Sequence, residues 1–149
     1  MLERPKKTIR NSTFEHQYNM MQIYQKQITV TKDDLDQLLH VNNVRYVQWV
    51  QDIAEEHWLK NASQEILDSC FWVLINHNIS YKAPALLGDS ILIKTFILKS
   101  EGVSSVRKVE MYNQTSKKQI IDSETTWCLI SSKSKRPARI TSEIVNLFN

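Results

Sequence analysis

From Glu15 to Val30 the side chains alternate with period two. Tyr18, Met20, Gln22, Tyr24, Lys26, Ile28 and Val30 fall on one face, and Met21 and Ile23 on the other. This predicts a long strand partly covered on both sides. From Val44 to about Leu59 the period becomes helical. Val47, Val50, Ala54 and Trp58 stand at i, i+3, i+7 and i+11, and Tyr46, Ile53 and His57 widen the stripe, while Arg45, Gln48, Asp52, Glu55 and Glu56 lie mainly opposite. Asn61 is placed to stop this helix, and Lys60 suits its negative end. Alternation returns over Phe71 to Tyr81, with Val73, Ile75, His77, Ile79 and Tyr81 set against Trp72, Leu74, Asn76, Asn78 and Ser80. Pro84 ends that strand because it cannot donate to a ladder.

After the Gly88-Asp89 turn, Ser90 to Ser100 reads as a strand with apolar residues on both faces. Glu101-Gly102 turns the chain into a strand from Val103 to Tyr112, and Asn113 to Lys118 forms a polar turn before the last strand, Gln119 to Ser131. A basic linker, Ser132 to Arg139, leads to a short helix from Ser142 to Phe148, with Thr141 as its cap. Strand, long helix, then several antiparallel strands predicts an α+β fold: one helix covered by one sheet.

Composition narrows this without changing it. The chain has 149 residues, of which 42% are hydrophobic, enough for a single domain spanning 1–149 with a substantial core. Residues 1–13 are charged and expected to be flexible, and 132–149 form the linker and short helix. The net charge of +3 is spread along the chain, and no nucleic-acid motif accompanies the basic clusters, so no nucleic-acid partner is expected. Cys70 and Cys128 form no zinc or redox pattern and suit a reducing, cytoplasmic setting. His16, His57 and His77 have no partners at metal-ligand spacing, so core or surface roles are expected and no metal. No apolar run approaches the ~20 residues of a membrane span, and none is expected at a membrane.

The chemistry concentrates in Asp33 to Tyr46. Asn42 and Asn43 stand at the mouth of the long helix, where asparagine caps well. A helix N-terminus carries partial positive charge and free N–H groups, and so can hold a polarised carbonyl. A carboxylate a few residues away makes this a candidate acyl-transfer site. Of the three acidic groups, Asp34 reads as a turn or capping residue and Asp33 as solvent-facing.

Asp34-Leu35-Asp36, followed by His40-Val41-Asn42-Asn43, Tyr46 and Trp49, resembles the signature of hotdog-fold thioesterases of the 4-hydroxybenzoyl-CoA and acyl-ACP thioesterase-like group. Ile79 to Asp89 is similar to that family's second landmark, and the likeness runs from about Tyr18 to Ser131. The resemblance implies a hotdog fold, a sheet wrapped around the helix. It also implies dimers joined edge to edge (or tetramers built from them), and hydrolysis of acyl-CoA or acyl-ACP without a cofactor.

It assigns Asp36 as the catalytic carboxylate, general base or nucleophile. His40 would relay a proton to the leaving thiol, or simply bond backbone and fix the loop. The backbone N–H near Asn43 would polarise the carbonyl, with Asn42 shaping the helix mouth. Tyr46, Trp49, Val50 and Trp72 would line an acyl pocket, or else pack the core. Lys82 and Arg107 would meet CoA phosphates at a surface groove. Leu38 stands where the plant-type enzymes carry Asn, which leaves an Asp-centred mechanism. Two rival readings remain at this point: a hotdog acyl dehydratase or hydratase using His40 with Asp36, and an acyl-thioester-binding protein without turnover.

Overall fold

The computed structural model describes residues 21–149. The expected flexible start (1–13), His16 and the first part of the 15–30 strand lie outside the described residues. Five strands form: β1 (Tyr24–Thr29), β2 (Cys70–Tyr81), β3 (Ser90–Glu101), β4 (Ser104–Asn113) and β5 (Gln119–Ser131). They make one antiparallel sheet in the order β1-β3-β4-β5-β2. Helix α1 (Asn43–Asn61) lies across it, and α2 (Gln64–Ser69) and α3 (Ser142–Asn146) are short. The α+β expectation holds.

α1 buries one stripe: Tyr46, Trp49, Val50, Ile53, Ala54, His57 and Trp58. The stripe is turned slightly from the predicted one, since Trp49 is buried while Val47 is only half-buried. The first half of α1 packs on Val30, Val41, Ile91, Ile93, Val109, Met111 and Ile121. Its last turn packs Trp58 into a second cluster with Ile66, Cys70, Leu129, Ile144 and Phe148.

Helix α2 was not anticipated. Its six residues are too few to show a period, and local bonds define it: the Ser63 hydroxyl accepts from the Ile66 N–H, and Gln64 donates to Asp68 one turn on. α3 ends earlier than predicted, at Asn146, and Phe148 turns into the core, where its carbonyl accepts from the Gln22 N–H at 3.0 Å. The basic linker is pinned to the sheet through Ala138 N–H to the Leu129 carbonyl and Ile140 N–H to that of Gly102.

β2 departs from simple alternation. A bulge between Leu74 and Asn76 shifts its register on β5. Before it Trp72 and Leu74 turn toward the core; after it His77 and Ile79 do. Val73 and Ile75, predicted to share a face with His77 and Ile79, therefore lie on the exposed side, because one extra residue inverts the period-two pattern.

β4 buries Ser105, Arg107, Val109 and Met111 in strict alternation. Arg107 was expected at a surface groove. That expectation is corrected: only 5% of it is exposed, because position 107 falls on the inward face. Its Nη1 donates to Nδ1 of His57 at 2.8 Å and to Oγ1 of Thr95 at 3.0 Å. A guanidinium only donates, so His57 Nδ1 is an acceptor and its Nε2–H faces Oε1 of Gln22, 2.8 Å away.

His57 is therefore a neutral core histidine. Burial first, then the charges of Arg107 and Lys60, hold its pKa down to about 3, from an ordinary 6.5. Burial lowers that of His77 as well. Between these values the unfolded chain binds the proton that folded His57 refuses. Its contribution is complete above the unfolded pKa, and stability falls as pH drops below it, by up to about 1.4 kcal/mol per pH unit for one group. Denaturant titrations should show this decline between about pH 6.5 and 5, above the range where carboxylates protonate. A flat profile there would contradict the neutral buried His57.

Candidate active site

The loop from Thr31 to Asn42 is built around Asp34. This carboxylate is buried, accepts from the Thr31 N–H at 2.8 Å and from its hydroxyl at 3.1 Å, and pairs with Nε of Arg45 at 2.7 Å. Its carbonyl accepts from the Asn42 N–H at 2.8 Å. Asp34 thus ties the loop to the first turn of α1, a capping role as expected, with an ion pair added.

Asp36 is half-buried. One oxygen, Oδ1, accepts from the N–H groups of Leu38 (2.8 Å) and His40 (3.2 Å). The Asp36 N–H donates to the His40 carbonyl at 2.7 Å, closing a tight turn. The turn places Leu39 at φ +60, with its side chain in solvent. A branched side chain is strained in that left-handed region, which suits Gly or Asn. Among the described residues nothing bonds Oδ2 of Asp36. The carboxylate borders an open groove walled by Leu35, Gln37, Leu38 and Asn42.

Asn42 is the cap of α1. Its Oδ1 accepts from the Val44 N–H at 3.0 Å and its carbonyl from the Arg45 N–H at 2.9 Å. The Asn43 N–H has no acceptor among the described residues. It is a free donor at the positive end of a 19-residue helix. Asn42 faces the same groove as Asp36, so carboxylate and helix mouth share one opening.

The second sequence landmark holds this arrangement in place. The Val41 N–H donates to the Ala85 carbonyl at 2.9 Å, the Ala85 N–H donates to the Tyr46 hydroxyl at 3.2 Å, and His40 bridges to Leu86. Gly88, at φ +83, lets its N–H reach the Val30 carbonyl at 3.0 Å. Burial, against the bond from Ala85, raises the Tyr46 pKa to about 12, and the carboxylates of Asp89 and Asp36 add to the rise. Tyr46 is a neutral brace.

The predicted residues separate into groups. Asp36 and Asn42 line the groove, and Asn43 follows as the first residue of α1. His40 is half-buried beside it, linked to Asp36 through its backbone; among the described residues its ring makes no hydrogen bond. Tyr46, Trp49 and Val50 belong to the core. Lys82 is exposed. Trp72 instead borders a second cavity of about 280 Å³, with Trp58, Trp127, Ile97, Phe148 and Arg107.

That cavity was missed as a site. Gln51, Ala54, Glu55 and Trp58, four of its lining residues, follow one helical stripe, the signal that was available. It begins at Gln51, roughly 12 Å along α1 from Asn43 at 1.5 Å per residue. Among the described residues no cluster of His, Cys, Asp or Glu is arranged to hold a metal, and no helix is long and apolar enough to cross a membrane. Cys70 and Cys128 are buried and unpaired.

This architecture has relatives. The family model for the acyl-ACP thioesterase N-terminal domain matches residues 21–148. The long-chain acyl-CoA thioesterase FadM of Escherichia coli is 28% identical over 128 residues, covering 80% of this chain and 92% of FadM. In structure, the probable thioesterase YbaW of Escherichia coli superposes with a TM-score of 0.75 at 24% identity, covering 83% of this chain and 94% of YbaW. A 4-hydroxybenzoyl-CoA thioesterase complexed with 4-hydroxybenzoyl-CoA gives 0.77 at 14% identity, over 86% of this chain and 99% of that one. The 12:0-ACP thioesterase of Umbellularia californica gives 0.76 at 11% identity, over 92% of this chain and 54% of that one. These likenesses show the hotdog fold. With the family match spanning most of its length, the chain belongs to the acyl-ACP thioesterase family and is a hotdog-fold thioester hydrolase.

Proposed function

We propose that this protein hydrolyses acyl thioesters of CoA or acyl carrier protein, with Asp36 as its catalytic carboxylate and the Asn43 N–H as its oxyanion donor. The observation that carries this reading is that Asp36, whose Oδ2 has no partner among the described residues, lines one groove with Asn42, the residue just before the first free N–H of α1. The thioester carbonyl accepts from the Asn43 N–H, where the helix dipole favours developing negative charge. Asp36 takes a proton from water as it adds to the carbonyl, or attacks the carbonyl itself to give a mixed anhydride that water then hydrolyses. Collapse of the tetrahedral species breaks the C–S bond; the thiolate leaves with the proton that Asp36 took as base or, where Asp36 is the nucleophile, with one from His40 or solvent water. The sum is thioester plus water to carboxylic acid plus thiol. The two amides that hold Oδ1 leave Oδ2 without a partner among the described residues.

A hydratase would need an imidazole paired with its acid. The His40 ring makes no such bond to Asp36, so hydrolysis is the better reading. The test is quantification of free thiol and free acid from a purified sample given acyl-CoA and acyl-ACP. Equal amounts of both support hydrolysis; loss of enoyl absorbance without thiol would support hydration and overturn it.

The proposed enzyme is a dimer joined through β2. β2 is a 12-residue edge paired on one side by β5. Its outer face exposes Phe71, Val73 and Ile75, the last by 62%. The other edge, β1, presents Gln25, Gln27 and Thr29 instead. A long apolar edge left bare invites pairing. Sedimentation should give a mass twice that of the chain, reduced by Ile75→Lys. A monomeric native protein would refute this.

A further inference from the structure

Arg107 stands out among the buried groups. Both hydrogen bonds from its guanidinium leave from Nη1 and end on neutral acceptors, His57 and Thr95. The ring of Phe148 lies 5.6 Å away. Among the described residues no carboxylate lies within ion-pair distance, and Nε and Nη2 have no acceptor. Glu55 borders the same cavity but is solvent-exposed and does not pair with it. Burial lowers the Arg107 pKa only to about 10, so the group is charged at neutral pH. A buried cation without a counter-ion is unusual, because desolvation goes uncompensated.

The cavity beside it is walled mainly by Trp58, Trp72, Trp127, Ile97 and Phe148, with Gln51, Glu55 and Ser105 as its other polar residues. A mostly apolar cleft with a few placed polar groups is the usual construction of a small-molecule pocket. Its span along α1, from Gln51 to Trp58, lies roughly 12 to 22 Å from Asn43. With C–C bonds of ~1.5 Å an extended alkyl chain advances about 1.3 Å per carbon, so a carbonyl held at Asn43 would place the tenth to about the seventeenth carbon there.

Resting on the thioesterase reading, we propose that this cavity receives the far end of the acyl group and that Arg107 selects tails carrying a hydrogen-bond-accepting oxygen there, as a hydroxyl or a carboxylate. A plain alkyl end fills the aromatic part and leaves the free guanidinium donors unmet. An oxygen near that end accepts from them.

The test compares tetradecanoyl-CoA with its ω-hydroxy and ω-carboxy analogues. The native protein should favour an oxygenated tail by about ten- to a hundredfold in kcat/KM, the range for a hydrogen bond to a charged donor. Which analogue leads tells hydroxyl from carboxylate. In Arg107→Gln the ratio should fall to about one. Because that variant disturbs the buried His57 contact, a second measurement uses native protein without turnover: quenching of the cavity tryptophans by octanoate against octylamine. Octanoate should bind at least tenfold more tightly. If no thioester is hydrolysed yet octanoate binds selectively, the hydrolase reading fails and the Arg107 site stands. Equal kcat/KM for plain and oxygenated tails, with no preference for octanoate, overturns the proposal.

Discussion

Asn43→Pro should fold normally and lose about 10²- to 10³-fold in kcat, the usual effect of removing one oxyanion donor. The substitution is well matched to its position. Asn43 is the first residue of α1, where proline is favoured because its missing N–H has no intrahelical partner. The preceding Asn42 has φ −62 and ψ 135, already the extended conformation that a following proline requires. The cap survives, since Asn42 bonds the Val44 N–H and not that of residue 43. One hydrogen-bond donor is thereby removed from the mouth of α1. Asn43→Ala keeps that donor and should lose far less. Steady-state thiol release with unfolding midpoints for both variants is the check. Equal rates in Asn43→Pro and Asn43→Ala would remove the helix mouth from the mechanism.

Asp36→Asn should lower kcat by about 10²- to 10⁴-fold, the range for a positioned acid–base group. Amide for carboxylate preserves shape, and the side-chain oxygen can still accept from the Leu38 and His40 N–H groups, so the turn should persist. Asp36→Ala also loses those two bonds and should be slow and less stable. Asp34→Asn provides the contrast, because Asp34 acts on the fold: it weakens the Arg45 ion pair and should show mainly as a lower unfolding midpoint. Turnover unchanged in Asp36→Asn would transfer attention to His40.

The elements of this fold were legible wherever one periodicity ran unbroken. α1 and β4 follow from unbroken patterns with one face against the core, whereas β3 and β5 were read from apolar runs bounded by turn residues. β2 misled because a bulge has no residue type of its own; the switch after Leu74 is set by pairing with β5. The groove was legible in part. Asp34, Asp36, Asn42 and Asn43 are close in sequence, so local capping chemistry placed them. That Asn43 keeps a free N–H depends on which amide the Asn42 side chain chose.

The cavity as a whole was not legible, since α1 contributes four of its walls while β2, β3, β4, β5 and the turn at Phe148 each contribute one or two. Arg107 carried a usable signal. It alternates with Ser105, Val109 and Met111, which already assigns it to an apolar face. Its charge suggested solvent, and packing of Phe148 and His57 around it decided otherwise.

The most direct test of the catalytic geometry is the carbonyl stretch of a bound acyl-CoA thioester, measured by isotope-edited infrared difference spectroscopy on Asp36→Asn, where slow turnover allows the complex to persist. A carbonyl on the Asn43 N–H at the positive end of α1 should absorb at lower frequency than the same thioester in water, and the band should return toward the free value when Asn43→Pro is added. A bound carbonyl that absorbs at the same frequency with and without the Asn43 N–H would contradict the account.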